Sequence, residues 1–190
     1  MTILSLAEHP ERFRWSHEPP RWTAGPPLEI TTAPDTDYWQ RTHYGFRRDN
    51  GHFLAAAVAG DFTVTAHVAF APTAQYDQCG LMVRVDAATW IKCSVEYETP
   101  TLSRLGSVVT NLGYSDWATQ DIASGVSEMW YQVRREGSDF TLAWADDGAT
   151  WRQMRIAHLH TCPDDIAVGF YACSPTGRGF TCRVYELQLA

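Results

Sequence analysis

The stretch Leu81-Met82-Val83-Arg84-Val85-Asp86, followed after Ala87-Ala88 by Thr89-Trp90-Ile91-Lys92-Cys93-Ser94-Val95-Glu96-Tyr97, alternates between two classes of residue. Side chains on a strand point to opposite faces, so the period of two predicts a long hairpin turning at Asp86-Ala87-Ala88. Leu81, Val83, Val85, Ile91, Cys93, Val95 and Tyr97 fall on one face, which packs a core. Met82, Arg84, Asp86, Trp90, Lys92, Ser94 and Glu96 fall on the other, which is free to line a groove.

The same period recurs along the chain. In residues 61–70, Phe62, Val64, Ala66, Val68 and Phe70 alternate with Thr63, Thr65 and His67. Residues 102–112 read as a strand, and Tyr114 to Ala118 as a loop or short edge. Segments 130–135 and 140–144 pair around Glu136-Gly137-Ser138-Asp139, and 151–158, 166–173 and 180–187 follow. About a dozen short strands with turns between them, and no helical period, predict an all-β sandwich or barrel. No repeat or low-complexity linker divides the 190 residues, so the expectation is a single domain over 1–190.

Pro19, Pro20, Pro26 and Pro27 deny helix and limit ladder pairing, which makes residues 1–27 a Pro-rich N-terminal arm packing on that domain. Asp49-Asn50-Gly51 signals a tight turn, with Gly51 able to take positive φ. Asp146-Asp147-Gly148-Ala149-Thr150-Trp151 matches the core of an Asp-box, whose carboxylate caps turn amides and whose Trp plugs the sheet; it reads as a structural corner.

Fifteen basic against twenty-two acidic residues, a net charge of −7, argues against nucleic acid or an anionic membrane as partner. The stretch from Met1 to Pro10 lacks the basic and long apolar regions of a signal peptide, and no run approaches the ~20 apolar residues of a membrane span. Five cysteines with no CxxC spacing read as reduced thiols of a cytoplasmic protein, three of them (Cys93, Cys173 and Cys182) on core faces. No metal-ligand cluster and no cofactor fingerprint is present, so neither is expected. Eight Trp, eight Tyr and eight Phe exceed what a minimal core needs, which places some of them on the polar face.

Asp37 to Phe46, Gly60-Asp61-Phe62, Gln75 to Arg84 and Trp90 to Tyr97, with His17-Glu18-Pro19-Pro20, together resemble the family named for a fungal regulator of enolase, of the concanavalin A-like lectin and glucanase superfamily. The resemblance runs from about residue 13 to the C-terminus. It implies a concanavalin A-like jelly-roll β-sandwich of two curved antiparallel sheets, one offering a concave groove, and transfers no mechanism.

On that frame the candidate ligand-binding residues are Trp39, His43, Tyr44, Asp77, Gln78, Arg84, Lys92 and Glu96. Arg84, Lys92, Ser94 and Glu96 share one face of neighbouring strands, Asp77 and Gln78 stand at the strand entry, and Trp39, His43 and Tyr44 cross one end. Aromatic faces beside amide, carboxylate and cationic groups suit a carbohydrate or another small polar ligand. The same charges also fit a solvated cross-strand ladder. A glycosidase would need two carboxylates, for which Glu96, with Glu98 two residues on, is the sole and weak candidate. A regulatory domain docking a protein partner is the third reading.

Overall fold

The structure, a computed structural model, describes residues 3–190, so Met1 and Thr2 of the N-terminal stretch read above lie outside the described residues. It is a jelly-roll β-sandwich of two antiparallel sheets. The first sheet runs β15 (Arg152–His158), β14 (Asp139–Ala145), β13 (Glu128–Glu136), β8 (Phe62–Ala71), β17 (Thr181–Leu189), β4 (Leu28–Thr31) and β3 (Arg21–Thr23). A short β1 (Leu4–Ser5) pairs with the end of β17. The second sheet runs β12 (Tyr114–Ala123), β11 (Leu102–Asn111), β10 (Thr89–Thr99), β9 (Gln78–Asp86), β16 (Asp165–Cys173), β7 (His52–Ala59) and β2 (Arg14–Trp15). A separate hairpin, β5 (Tyr38–Gln40) with β6 (Arg47–Asp49), roofs the outer face of the second sheet.

Alternation decides what lies between the sheets. Val64, Ala66 and Val68 of β8 meet Leu81 and Val83 of β9 and Ile91, Cys93 and Val95 of β10 in one apolar interior. Each large side chain buried there contributes about 1.5–3 kcal/mol, so a continuous core of this kind holds without disulfides. All five cysteines are free, with Cys79, Cys93, Cys173 and Cys182 buried. The N-terminal arm is not a loose appendage: β1 and β3 extend the first sheet, and β2 extends the second.

The outer face of the second sheet departs from the expected open groove. Met82, Trp90, Val108, Phe53, Tyr171 and Cys173 form a second apolar cluster, covered by Tyr38 and Trp39 of β5. Residues 41–46 close the hairpin, with Arg41, His43 and Gly45 in the left-handed region at φ 58°, 61° and 76°. Arg41 N–H donates to Phe46 O at 2.8 Å and Gly45 N–H to Arg41 O at 2.7 Å, which fixes this costly turn.

Two turn readings need correction. Asp49-Asn50-Gly51 does not join paired strands, because β6 pairs with β5 while β7 pairs with β16 and β2. Asn50 Oδ1 accepts from Asp37 N–H at 3.1 Å, and Asn50 Nδ2 donates to Asp35 O at 2.9 Å, clamping the hairpin entry. Gly51 is not at positive φ; it is glycine because a Cβ would overlap the Tyr38 ring and lie 2.5 Å from Cys173 Sγ. The segment from Tyr114, read as a loop or short edge, is a ten-residue edge strand. Its polar, largely exposed sequence suits a sheet edge that must not recruit another strand.

The Asp-box forms as expected: Asp147 Oδ1 accepts from Ala149 and Thr150 N–H at 2.9 and 2.7 Å, with Gly148 at φ 69°. These bonds hold the Asp147 carboxyl down to about 2. The ring beneath Gly148 is Trp130, whereas Trp151 remains half-buried. His52 is buried: Nε2 accepts from Ala33 N–H at 2.9 Å and Nδ1 donates to His17 O at 3.0 Å.

Gly51→Ala tests the packing under the hairpin. Overpacking at a well-filled site costs about 1–3 kcal/mol, so the urea midpoint should fall accordingly, with Tyr38 displaced. An unchanged midpoint would show that the roof is loosely held.

Candidate functional site

Register brings the polar floor together. Glu96 stands opposite Gln78, Ser94 opposite Gly80 and Lys92 opposite Met82, while Tyr171 of β16 flanks Gly80 from the other side. Across that glycine the Tyr171 hydroxyl lies 2.8 Å from Ser94 Oγ and 3.0 Å from Gln78 Oε1. Lys92 Nζ donates to Gln78 Oε1 at 2.9 Å and sits 3.5 Å from Asp37 Oδ1. Gln78 Nε2 donates to Glu96 Oε2 at 2.6 Å. An ammonium group can only donate, so Gln78 must turn its oxygen to Lys92 and its amide to Glu96. Any proton on Glu96 therefore resides on Oε1.

Burial is the main reason that proton is retained. Lys92 is 3% and Glu96 9% exposed, and desolvation pushes the Glu96 carboxyl up from 4.5 to about 8. Lys92 and the Gln78 amide pull the other way, while Asp37 and Glu98 reinforce the rise. At neutral pH Glu96 is mainly a neutral acid.

Above this floor Trp39, Tyr44, Phe46, Tyr76, Trp117 and Pro175 wall a cavity of about 230 Å³. Trp39 is held by its Nε1–H donating to Thr42 O at 3.0 Å and by an edge contact with Tyr44, centroids 5.4 Å apart. Tyr44 stacks on Phe46 at 5.9 Å, and both are exposed at the rim. Tyr76, at φ 69°, is pinned by its N–H to Tyr97 O at 2.6 Å. The volume is below the ~300–1,000 Å³ of drug-sized pockets, a space suited to one small ring.

Of the residues picked out by sequence, Trp39, Tyr44, Gln78, Lys92 and Glu96 line this cavity. Three do not. Arg84 points to the hairpin and makes a bidentate pair with Asp49 at 2.8 and 2.9 Å. Asp77 is buried, accepting from Thr73 and Ala74 N–H at 2.8 and 2.9 Å and from Ser174 Oγ at 2.5 Å. His43 is exposed on the hairpin turn against Tyr44. The charge ladder does not form either, because Arg84 pairs with Asp49 while Lys92 and Glu96 meet only through Gln78. Glu98 is held outside the cavity, by Gln75 at 3.0 Å and Arg104 at 3.8 Å. The second acid at the cavity is Asp37, which sequence reasoning passed over together with Phe46, Tyr76 and Trp117. Tyr76 lay inside the distinctive Gln75–Gln78 block, and Trp117 in the segment read as a loop or short edge. Among the described residues no three His, Cys, Asp or Glu side chains gather at metal-binding spacing.

Comparisons with known proteins bear on the fold and the family. A family model described as protein of unknown function, DUF1349, matches residues 15–190. "Regulation of enolase protein 1" of Saccharomyces cerevisiae is 35% identical over 162 residues, 85% of this chain and 80% of that protein. A crystal structure of a functionally unknown protein from Saccharomyces cerevisiae superposes with a TM-score of 0.88 at 31% identity, over 95% of this chain and 96% of that one. The GH43 protein BlXynB from Bacillus licheniformis is similar at a TM-score of 0.71 and 13% identity, over 94% of this chain but 36% of that one, a likeness of fold alone.

Two outcomes follow for stability. A carboxyl raised above its unfolded value stabilises below the unfolded pKa and loses that contribution as pH rises through the folded one. Wild type should therefore weaken relative to Glu96→Gln between 4.5 and about 8, by roughly 1 kcal/mol per pH unit, in urea melts across that window. Parallel pH profiles would show that Glu96 ionises freely. Asp77→Ala strands two amides and a hydroxyl, so chemical denaturation should show a loss of about 3 kcal/mol or more.

Proposed function

The chain belongs to the family described as protein of unknown function, DUF1349, and from that footing we propose that it binds one small polar ligand, a carbohydrate of single-ring size, in the roofed cavity of the second sheet. One observation carries this reading. The cavity joins a hydrogen-bonded floor of Gln78, Lys92 and Glu96 to walls of Trp39, Tyr44, Phe46, Tyr76 and Trp117. Such walls stack on the apolar C–H face of a ring while the floor takes its hydroxyls. Five free cysteines suit a reducing compartment, and we place the protein in the cytoplasm on that ground. No helix of the described residues is long and apolar enough to cross a membrane.

A glycosidase reading rested on Glu96 with Glu98, and Glu98 does not line the cavity. A second reading has one observation behind it. Tyr44, Phe46, Leu112 and Tyr114 are exposed apolar side chains on two turns that Arg41 links, its guanidinium lying 5.1 Å from the Tyr114 ring. With a relative named for regulation of enolase, this patch is a place for a protein partner to dock. Capture from native extract that is lost in Tyr114→Ser would support docking.

Calorimetry and thermal shift with a panel of monosaccharides and their oligomers test the main proposal. One or more monosaccharides should raise the melting temperature, by about 3 kcal/mol of stabilisation at a hundredfold excess over Kd, and oligomers should do no better. Trp117→Ala should weaken binding about tenfold. A panel without any binder, or one whose affinities survive Trp117→Ala, would remove the proposal.

A further inference from the structure

The charges in the cavity lining do not balance. Asp37, Glu96 and Lys92 line it. Lys92 lies 3.5 Å from Asp37 Oδ1, and no other carboxylate comes within 4.0 Å of it among the described residues. That pair uses one acid and the only base of the lining, and Glu96, though it feels the Lys92 charge, forms no direct ion pair among the described residues. Its Oε2 accepts from Gln78, and among the described residues Oε1 has no hydrogen-bond donor.

Charged groups on the neighbouring elements are already committed or stand apart. Glu98 is held by Gln75 and Arg104. Arg104, directly opposite Glu96 in register, lines a small recess beside Glu96 but pairs with Glu98 and Asp121. Asp116 of β12 pairs with Arg155 at 2.9 Å. Arg84 and Asp49 satisfy one another. Arg41, Arg47 and Arg48 of the hairpin line no part of the cavity.

A carboxyl buried without a cation is driven into its neutral form, and burial does hold Glu96 up to about 8. The missing partner is one positive charge within reach of Oε1. Five aromatic side chains, Trp39, Tyr44, Phe46, Tyr76 and Trp117, line the same cavity as Glu96. Aromatic rings carry a negative face that attracts ammonium groups, most strongly where water is excluded.

We infer that the cavity is an aromatic cage for a small organic ammonium ion, with Glu96 as its counter-charge. This rests on the cavity being a ligand site and adds the charge of the ligand. An amino sugar meets both the ring-sized space and the charge, and a quaternary amine meets the charge alone. On binding, Glu96 releases its proton to solvent and the ammonium ion takes its place. With Asp37 and Lys92 cancelling, the filled cavity stays neutral.

Calorimetric titration of the full chain at neutral pH, in two buffers of different ionisation enthalpy, reads this directly. The probes are choline, its uncharged tert-butyl analogue, glucosamine and glucose. Choline or glucosamine should bind at least about tenfold tighter than its neutral counterpart, a difference well inside what a cation in an aromatic site supplies. Choline carries no titrating proton, so its binding should release most of one proton from the protein. Glu96→Gln, which preserves the shape and the Gln78 bond, should abolish both the preference and the release. Tyr44→Leu at the exposed rim should weaken the charged ligands without unfolding the chain. Glucose binding as tightly as glucosamine, with Glu96→Gln unchanged, would overturn the charge assignment and leave the ligand site standing. Failure of all four probes overturns the inference, and the monosaccharide panel then decides on the site itself.

Discussion

A bidentate ion pair holds the outer layer of this protein in place. Arg84 of β9 grips both oxygens of Asp49 at 2.8 and 2.9 Å, with the two side chains 17% and 31% exposed. It ties the β5–β6 hairpin to the middle of the second sheet. A ribbon of three residues per strand is marginal on its own, so its position is set by such anchors. Gln40 N–H donating to Ser115 Oγ at 2.9 Å and the Tyr38 hydroxyl donating to Gly51 O at 2.6 Å secure the other side. What the clamp creates is a cavity, because the hairpin closes over a sheet face of mixed apolar and polar residues that would otherwise lie open.

Within that cavity one amide organises an acid and a base. Gln78 uses its oxygen for Lys92 and its nitrogen for Glu96, and the fixed polarity of each neighbour leaves it a single orientation. Buried polar groups are stable when every member is satisfied. Here Glu96 Oε1 accepts from no donor among the described residues, and neither does the buried Ser107 hydroxyl beside the same floor find a partner.

The strands were largely legible because the interior between the sheets imposes strict alternation, as in Phe62 to Phe70 and Leu81 to Asp86. β7 was not, since it is buried on both faces at its start and its Ala-rich run carries no period of two. β12 escaped because an exposed edge is written in loop-like residues. The site was half legible for the same reason. Parity placed Lys92, Ser94 and Glu96 on one face, but parity cannot say which partner crosses from elsewhere in the chain. Arg84 shares that face and became a clamp because Asp49 arrives from thirty-five residues away. Asp77 stands beside Gln78, yet its carboxylate faces the backbone of Thr73 and Ala74. Asp37 was missed because its contact with Lys92 spans fifty-five residues.

Asp37 joins the two halves of this architecture. Its carbonyl accepts from Asn50 and Gly51 N–H at 3.1 and 3.2 Å at the root of the hairpin, while its carboxylate faces Lys92 on the cavity floor. Besides the Arg84–Asp49 clamp, roof and floor thus meet at this one residue. A change at Asp37 therefore touches the root of the hairpin and the floor of the cavity together.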